Sequence, residues 1–178
     1  MVQEELVAAF CRQAEAMGAQ WVRAAEREDL VGKIVAHLQP LGSRVALVDS
    51  DLVEELALEK ALKQSGFQVE KGGRDFARYA DSGVVEFDMG LAETGTLVQE
   101  ATALNKRLAS MLPLNCLALL RVDRIVADLT EALNFYLSRG AWPGYLALVT
   151  GPSRTADIER SLTIGVHGPE RLIIALWG

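Results

Sequence analysis

The sequence predicts a single α/β domain on a sheet of mixed but largely parallel strands, spanning residues 1–178 with a helical segment over about 1–39 packed on it. Three observations carry this. The chain has 178 residues, close to the roughly 150 of one domain and enough to bury a sizeable core without staples. Residues 44–70 read strand, helix, strand, which at that length is a βαβ unit with a right-handed parallel crossover. Short apolar runs, Leu117–Val122 and Arg171–Trp177 above all, return late in the chain at strand length.

Taken in order, residues 1–18 form an amphipathic helix. Leu6, Val7, Phe10, Cys11, Ala14 and Met17 recur at helical spacing, and Gly18 is placed to end it. Ala19–Arg23 is a short strand. Leu30, Val31, Ile34, Val35 and Leu38 make a second helical stripe that stops before Pro40, with His37 an ordinary boundary residue beside it. Arg44–Val48 is a strand ended by Asp49-Ser50-Asp51. Asp51 with Glu54 has capping-box spacing for one helix running to Gly66, and Phe67–Glu70 resumes extended structure. Gly72-Gly73 is a turn, and Val84–Val98 holds two short extended pieces parted around Gly90 and Gly95. Leu117–Val122 is the strongest strand, with Arg121, Asp123 and Arg124 at its exit. Asp128 caps a helix with Glu131 three residues on, and Gly140 closes it behind Arg139. Tyr145–Thr150 and Arg171–Trp177 are the last strands. Trp21, Trp142 and Trp177 are read as core or boundary fillers.

Composition narrows the function. Lys plus Arg total 18 against 24 Asp plus Glu, a net charge of −6, which disfavours nucleic acid and anionic membrane surfaces as partners. No run reaches the roughly 18 apolar residues of a membrane span. Glu4 and Glu5 stand where a signal peptide would be basic, so the cytoplasm is the expected location. The two cysteines, Cys11 and Cys116, and two histidines, His37 and His167, supply no zinc or iron–sulfur ligand set, and no metal site is expected. Both cysteines read as small buried hydrophobes.

Two segments break the hydrophobic rhythm. In Leu91-Ala92-Glu93-Thr94-Gly95-Thr96-Leu97, hydroxyls flank a glycine directly after an acid. Backbone amides at such a turn approach a ligand closely, and Glu93 there can act as general base, nucleophile or ligand-orienting acceptor. Equally, Glu93 and the threonines can bond local backbone and pin a tight turn. The second segment is Thr150-Gly151-Pro152-Ser153-Arg154-Thr155-Ala156-Asp157-Ile158-Glu159, placed after a strand, where open α/β sheets bind ligands. Ser153 and Thr155 offer hydroxyls, Arg154 a fork for phosphate or carboxylate, and Gly151 close backbone approach. If Ser153 caps a helical turn, free amides add to an anion site. The competing reading pairs Arg154 with Asp157 or Glu159 as a loop brace. Neither a Walker loop nor GxGxxG is present. Farther on, Gly165-Val166-His167-Gly168-Pro169 is a turn whose histidine has a pKa suited to proton transfer.

These three segments, with Leu112-Pro113 and Arg124-Ile125-Val126, resemble the LutC/YkgG lactate-utilization family, the LUD domain, over about residues 40–178. The resemblance implies a three-layer Rossmann-like fold of the NagB/RpiA/CoA-transferase group with mostly parallel strands. It implies Glu93, Thr94, Gly95 and Thr96 on one wall of a site and Ser153, Arg154, Thr155, Asp157 and His167 on the other; Glu93 and His167 are the expected catalytic residues, and Gly151 is expected to bind ligand beside them. It also implies a component of a bacterial system oxidising L-lactate to pyruvate, binding a small anionic ligand, with no cofactor of its own and iron–sulfur clusters on partner subunits. Two positions depart from the family pattern. Glu86 puts a charge where Val85-Glu86 would commonly read Thr-Gly, and Cys116 stands where a histidine is frequent. The residues alone also fit a stand-alone enzyme for a CoA thioester or sugar phosphate, or a non-catalytic module that assembles iron–sulfur partners.

Overall fold

A computed structural model describes residues 2–72, 75–140, 142–155, 163–164 and 168–178. Its centre is a wholly parallel six-stranded sheet in the order β1-β12-β7-β4-β2-β3. These strands are β1 (Gln20–Ala24), β2 (Arg44–Leu47), β3 (Gln68–Glu70), β4 (Ser82–Glu86), β7 (Asn115–Arg121) and β12 (Arg171–Trp177). The middle strands are apolar at nearly every position because both faces are covered. Along β7, Leu117 and Leu119 face one core, while Cys116, Ala118 and Leu120 face the other.

One face is packed by α2 (Arg27–Leu38), α3 (Asp51–Glu55) and α4 (Leu58–Gln64). They contribute Leu30, Ile34, Leu38, Leu52, Leu58 and Leu62, each fully buried. At about 2 kcal/mol per fully buried aliphatic side chain, this layer is a major driving force. The other face is packed by α1 (Gln3–Ala16), through Phe10 and Ala14, and by α5 (Leu104–Met111), through Ala109. The chain thus forms the three layers of a Rossmann-like α/β fold.

The antiparallel strands segregate into a second sheet rather than mixing into the first. Its order is β8-β5-β6-β9, with β5 (Met89–Leu91), β6 (Thr96–Glu100), β8 (Ile125–Val126) and β9 (Leu146–Val149). Helix α6 (Leu129–Ser138) covers it through Ala132 and Tyr136, against Met89, Leu91 and Val98. A short ribbon pairs β10 (Arg154–Thr155) with β11 (Thr163–Ile164).

The local expectations meet this structure unevenly. The β2-to-β3 unit is parallel as read, but its helix is two helices. Ala57 takes φ 48° between α3 and α4, and the cap is Ser50, whose hydroxyl accepts from the Val53 amide at 3.3 Å, rather than Asp51. The Asp128 cap is as expected, accepting from the Glu131 amide at 2.9 Å. Residues 84–98 carry parts of three strands instead of two pieces, and α5 has no counterpart in the sequence reading. Trp21 and Trp142 stand exposed instead of filling the core.

Helix α1 ends in a Schellman arrangement, which the sequence signalled only as Gly18. Gly18 adopts φ 92°, its amide donates to Glu15 at 2.9 Å, and the Ala19 amide donates to Ala14 at 2.9 Å.

Candidate functional site

The two polar loops do meet. Strands β6 and β9 pair antiparallel, Leu97 opposite Val149, which sets the turn at 92–95 beside Thr150 and Gly151. The Thr96 hydroxyl lies 2.7 Å from the Thr150 hydroxyl and accepts from Thr94 at 2.7 Å. What they enclose, however, is the end of α1. A Cβ at Gly95 would overlap the backbone of Ala14, and one at Gly151 the carbonyl of Met17. Arg154 Nη2 donates to that Met17 carbonyl at 2.9 Å. A helix C-terminus carries partial negative charge, so it attracts the guanidinium and disfavours an anionic guest alongside it. Glu93 is exposed, its amide donating to Ala127 at 3.0 Å. Ser153 is not a helix cap: Arg154–Thr155 is extended, and the Ser153 amide donates to Pro169 at 2.9 Å. Asp157 and His167 lie outside the described residues, as does the side chain of Thr155.

The strand-end argument that drew attention to Thr150–Glu159 needs correction. Strand β9 belongs to the second, antiparallel sheet and not to the parallel one. Gly18 and Pro169 immediately precede β1 and β12, so this loop cluster sits at the amino edge of the parallel sheet.

At the opposite, carboxyl edge a cleft of about 360 Å³ opens beyond the ends of β2, β4 and β7. From β2 the chain runs to β3 on one side, and β4 then begins on the other side. The cleft therefore lies at the point where strand order reverses, the usual ligand crevice of an open α/β sheet. Its acidic lining comes from Asp49 and Asp51 after β2 and from Glu86 and Asp88 at and after the end of β4. Its basic lining is Lys106 from α5, Arg121 and Arg124 at the end of β7 and after it, and Arg139 at the end of α6.

Most of these charges are already occupied. Glu86 Oε2 accepts from the Leu52 amide at 3.1 Å, and its Oε1 lies 3.8 Å from Arg121 Nε. Arg121 in turn holds Glu55 at 2.5 Å, and Trp177 Nε1 donates to Glu55 at 2.8 Å. The Arg121 bond first, then Trp177, keeps the Glu55 carboxyl below its usual range. Asp88 accepts from the Tyr136 hydroxyl at 3.2 Å and from the Glu100 amide. Burial, reinforced by Asp88, pushes the Tyr136 hydroxyl well above its ordinary pKa, so it stays a donor. Lys106 Nζ donates to the Glu100 carbonyl at 3.1 Å, and Asp49 binds Lys71 at 2.5 Å.

Two cations are different. Arg124 and Arg139 hold their guanidinium carbons 5.4 and 4.7 Å from the centroid of one ring, Phe135. Neither makes an ion pair among the described residues. Two like charges gathered on one aromatic ring in a cleft are an arrangement suited to an anion. These residues were missed because the strand-end rule was applied to β9. Applied to Asp49–Asp51 after β2 and Arg121–Arg124 after β7, it leads here.

Comparison with known proteins agrees with this architecture. The family model of the LUD domain matches residues 7–176, nearly the whole chain. The chain belongs to the LUD-domain family. Among curated relatives of this LUD-domain protein, it is 32% identical over 148 residues to the Lactate utilization protein C of Anoxybacillus flavithermus, 80% of this chain and 66% of that one. It is 40% identical over 100 residues to Lactate utilization protein C 1 of Bacillus mycoides, 54% of this chain and 43% of that one. With the uncharacterized protein YkgG of Escherichia coli it shares 35% over 144 residues, 75% and 62% of the two chains. The chain thus spans 43–66% of the length of these relatives. A crystal structure of a DUF162 family protein from Deinococcus radiodurans superposes with a TM-score of 0.72 at 20% identity, covering 100% of this chain and 99% of that one. That likeness shows a shared fold.

Proposed function

We propose that this LUD-domain protein is a LutC-like component of a bacterial system oxidising L-lactate to pyruvate, and that its carboxyl-edge cleft receives a small anionic ligand. The relatives named Lactate utilization protein C support the first part. The observation that carries the second is the pair Arg124 and Arg139, drawn onto Phe135 without carboxylate partners among the described residues. Their guanidiniums would clamp the ligand's carboxylate, and Tyr136, held protonated beside Asp88, would keep α6 in place beside it. The electrons of any lactate oxidation would pass to iron–sulfur partner subunits. Cys11 and Cys116 are both buried and offer no cluster ligand set in this chain.

The amino-edge loops remain a second place for the ligand, and one experiment separates the two. Titrating L-lactate and pyruvate calorimetrically into the purified chain should give binding that Arg124→Ala/Arg139→Ala weakens about tenfold or more. Arg154→Ala, which removes the brace on Met17, should leave it unchanged. Loss of binding in Arg154→Ala with the double variant intact would move the site to Glu93, Thr94, Thr96, Ser153 and Arg154. Growth on L-lactate of a strain carrying each variant should follow the same pattern.

A further inference from the structure

We propose that Glu86 decides which anion the cleft accepts, restricting it to a ligand with one negative charge, a small monocarboxylate, and turning away phosphate monoesters and other dianions. This rests on the carboxyl-edge cleft being the ligand site.

The argument starts from where Glu86 lies. It ends β4 at the strand-order reversal, where ligands of open α/β sheets bind, and it lines the cleft. A ligand's anionic group would there compete for the Leu52 amide, but the Glu86 carboxylate already takes it at 3.1 Å. Nor is Glu86 neutralised by its neighbour. Arg121 stands 3.8 Å from Glu86 and 2.5 Å from Glu55, so one guanidinium serves two carboxylates and the group keeps a net charge of about −1. The Glu86 side chain is 22% exposed, so screening by water and salt is limited. A fixed charge repels a ligand in proportion to the ligand's own charge. A monocarboxylate can seat its one charge on Arg124 and Arg139 and turn its neutral end inward. A phosphate monoester, dianionic above a pKa of about 6, meets twice that repulsion from Glu86.

The test compares wild type with Glu86→Gln and Glu86→Asp by calorimetric titration at about pH 8, where phosphate is dianionic. The probes are L-lactate, pyruvate, inorganic phosphate and glucose 6-phosphate. Gln keeps an acceptor for the Leu52 amide without the charge, and Asp keeps the charge. Wild type and Glu86→Asp should bind the monocarboxylates and discriminate against both phosphates. Glu86→Gln should gain about tenfold or more for the phosphates and only about the square root of that factor for lactate. Lactate binding with an unchanged phosphate ratio in Glu86→Gln would overturn the role of Glu86 and leave the cleft standing. A wild-type preference for phosphates would also overturn it. Binding of none of the four probes to any of the three proteins would overturn both readings.

Discussion

Asp81 shows how much one side chain can hold at the amino edge of the sheet. Its carboxylate accepts from the Ser43 amide at 3.0 Å and the Arg44 amide at 2.9 Å, and pairs with the Arg44 guanidinium at 3.3 Å. Burial pushes this carboxyl up, but the Arg44 amide and guanidinium, with the Ser43 amide, outweigh it and hold it below the usual range. A depressed folded pKa means the stabilisation is fully present above the unfolded value near 4, and is lost as pH falls through the lower folded value. Asp81→Asn should therefore cost about 1–2 kcal/mol in urea unfolding near pH 7. The gap to wild type should close below about pH 4. A gap that stayed constant to pH 3, or widened, would rule out the carboxylate as its source.

At the scale of elements, glycine positions separate close packing from mere flexibility. Helix α5 crosses β4 so tightly that a Cβ on Gly83 would overlap the carbonyl oxygen of Ala109, with Pro113 also near at 3.2 Å. Backbone cannot yield as a flexible side chain can, so Gly83→Ala should destabilise by about 3 kcal/mol or more, or prevent folding. Gly32 lies in the middle of α2 with nothing within 4 Å of a built Cβ. Gly32→Ala should instead stabilise by about 0.5–1 kcal/mol, since alanine loses less backbone freedom in a helix. Denaturation midpoints of the two variants should move in opposite directions. Helix α5 was not legible beforehand because it is short and adds little to the core: among its eight residues only Ala109 is buried.

The whole molecule governs the two thiols. Cys11 on α1 and Cys116 on β7 belong to one continuous core between α1 and the parallel sheet. Burial pushes the Cys11 thiol up to about 11, against the opposing pull of Arg23, and burial alone pushes Cys116 up to about 12. Because the thiolate is the reactive form, neither should react promptly with a thiol reagent near pH 8 in the folded protein, and both should react on unfolding in urea. Prompt modification of Cys116 in the native state would contradict the packing of β7.

How far the residues alone led differs between architecture and site. The period of Leu6 through Met17, the Leu30–Leu38 stripe, the Asp128 cap and the apolar run of β7 are local signals, because each element must bury one face and close its own ends. They determined α1, α2 and α6, most strands and the parallel βαβ unit, and the three polar motifs carried the likeness to the LUD-domain family. What they left open was which strand joined which sheet. Pairing is a non-local choice, decided when β9 found β6 rather than the parallel sheet, and that choice put Thr150–Arg154 at the amino edge beside α1. The carboxyl-edge cleft was assembled the same way, by bringing Glu86, Arg121, Arg124 and Arg139 together from separate elements. Their charges are readable one by one in the chain, but the meeting of Arg124 and Arg139 on Phe135 exists only once the layers have packed.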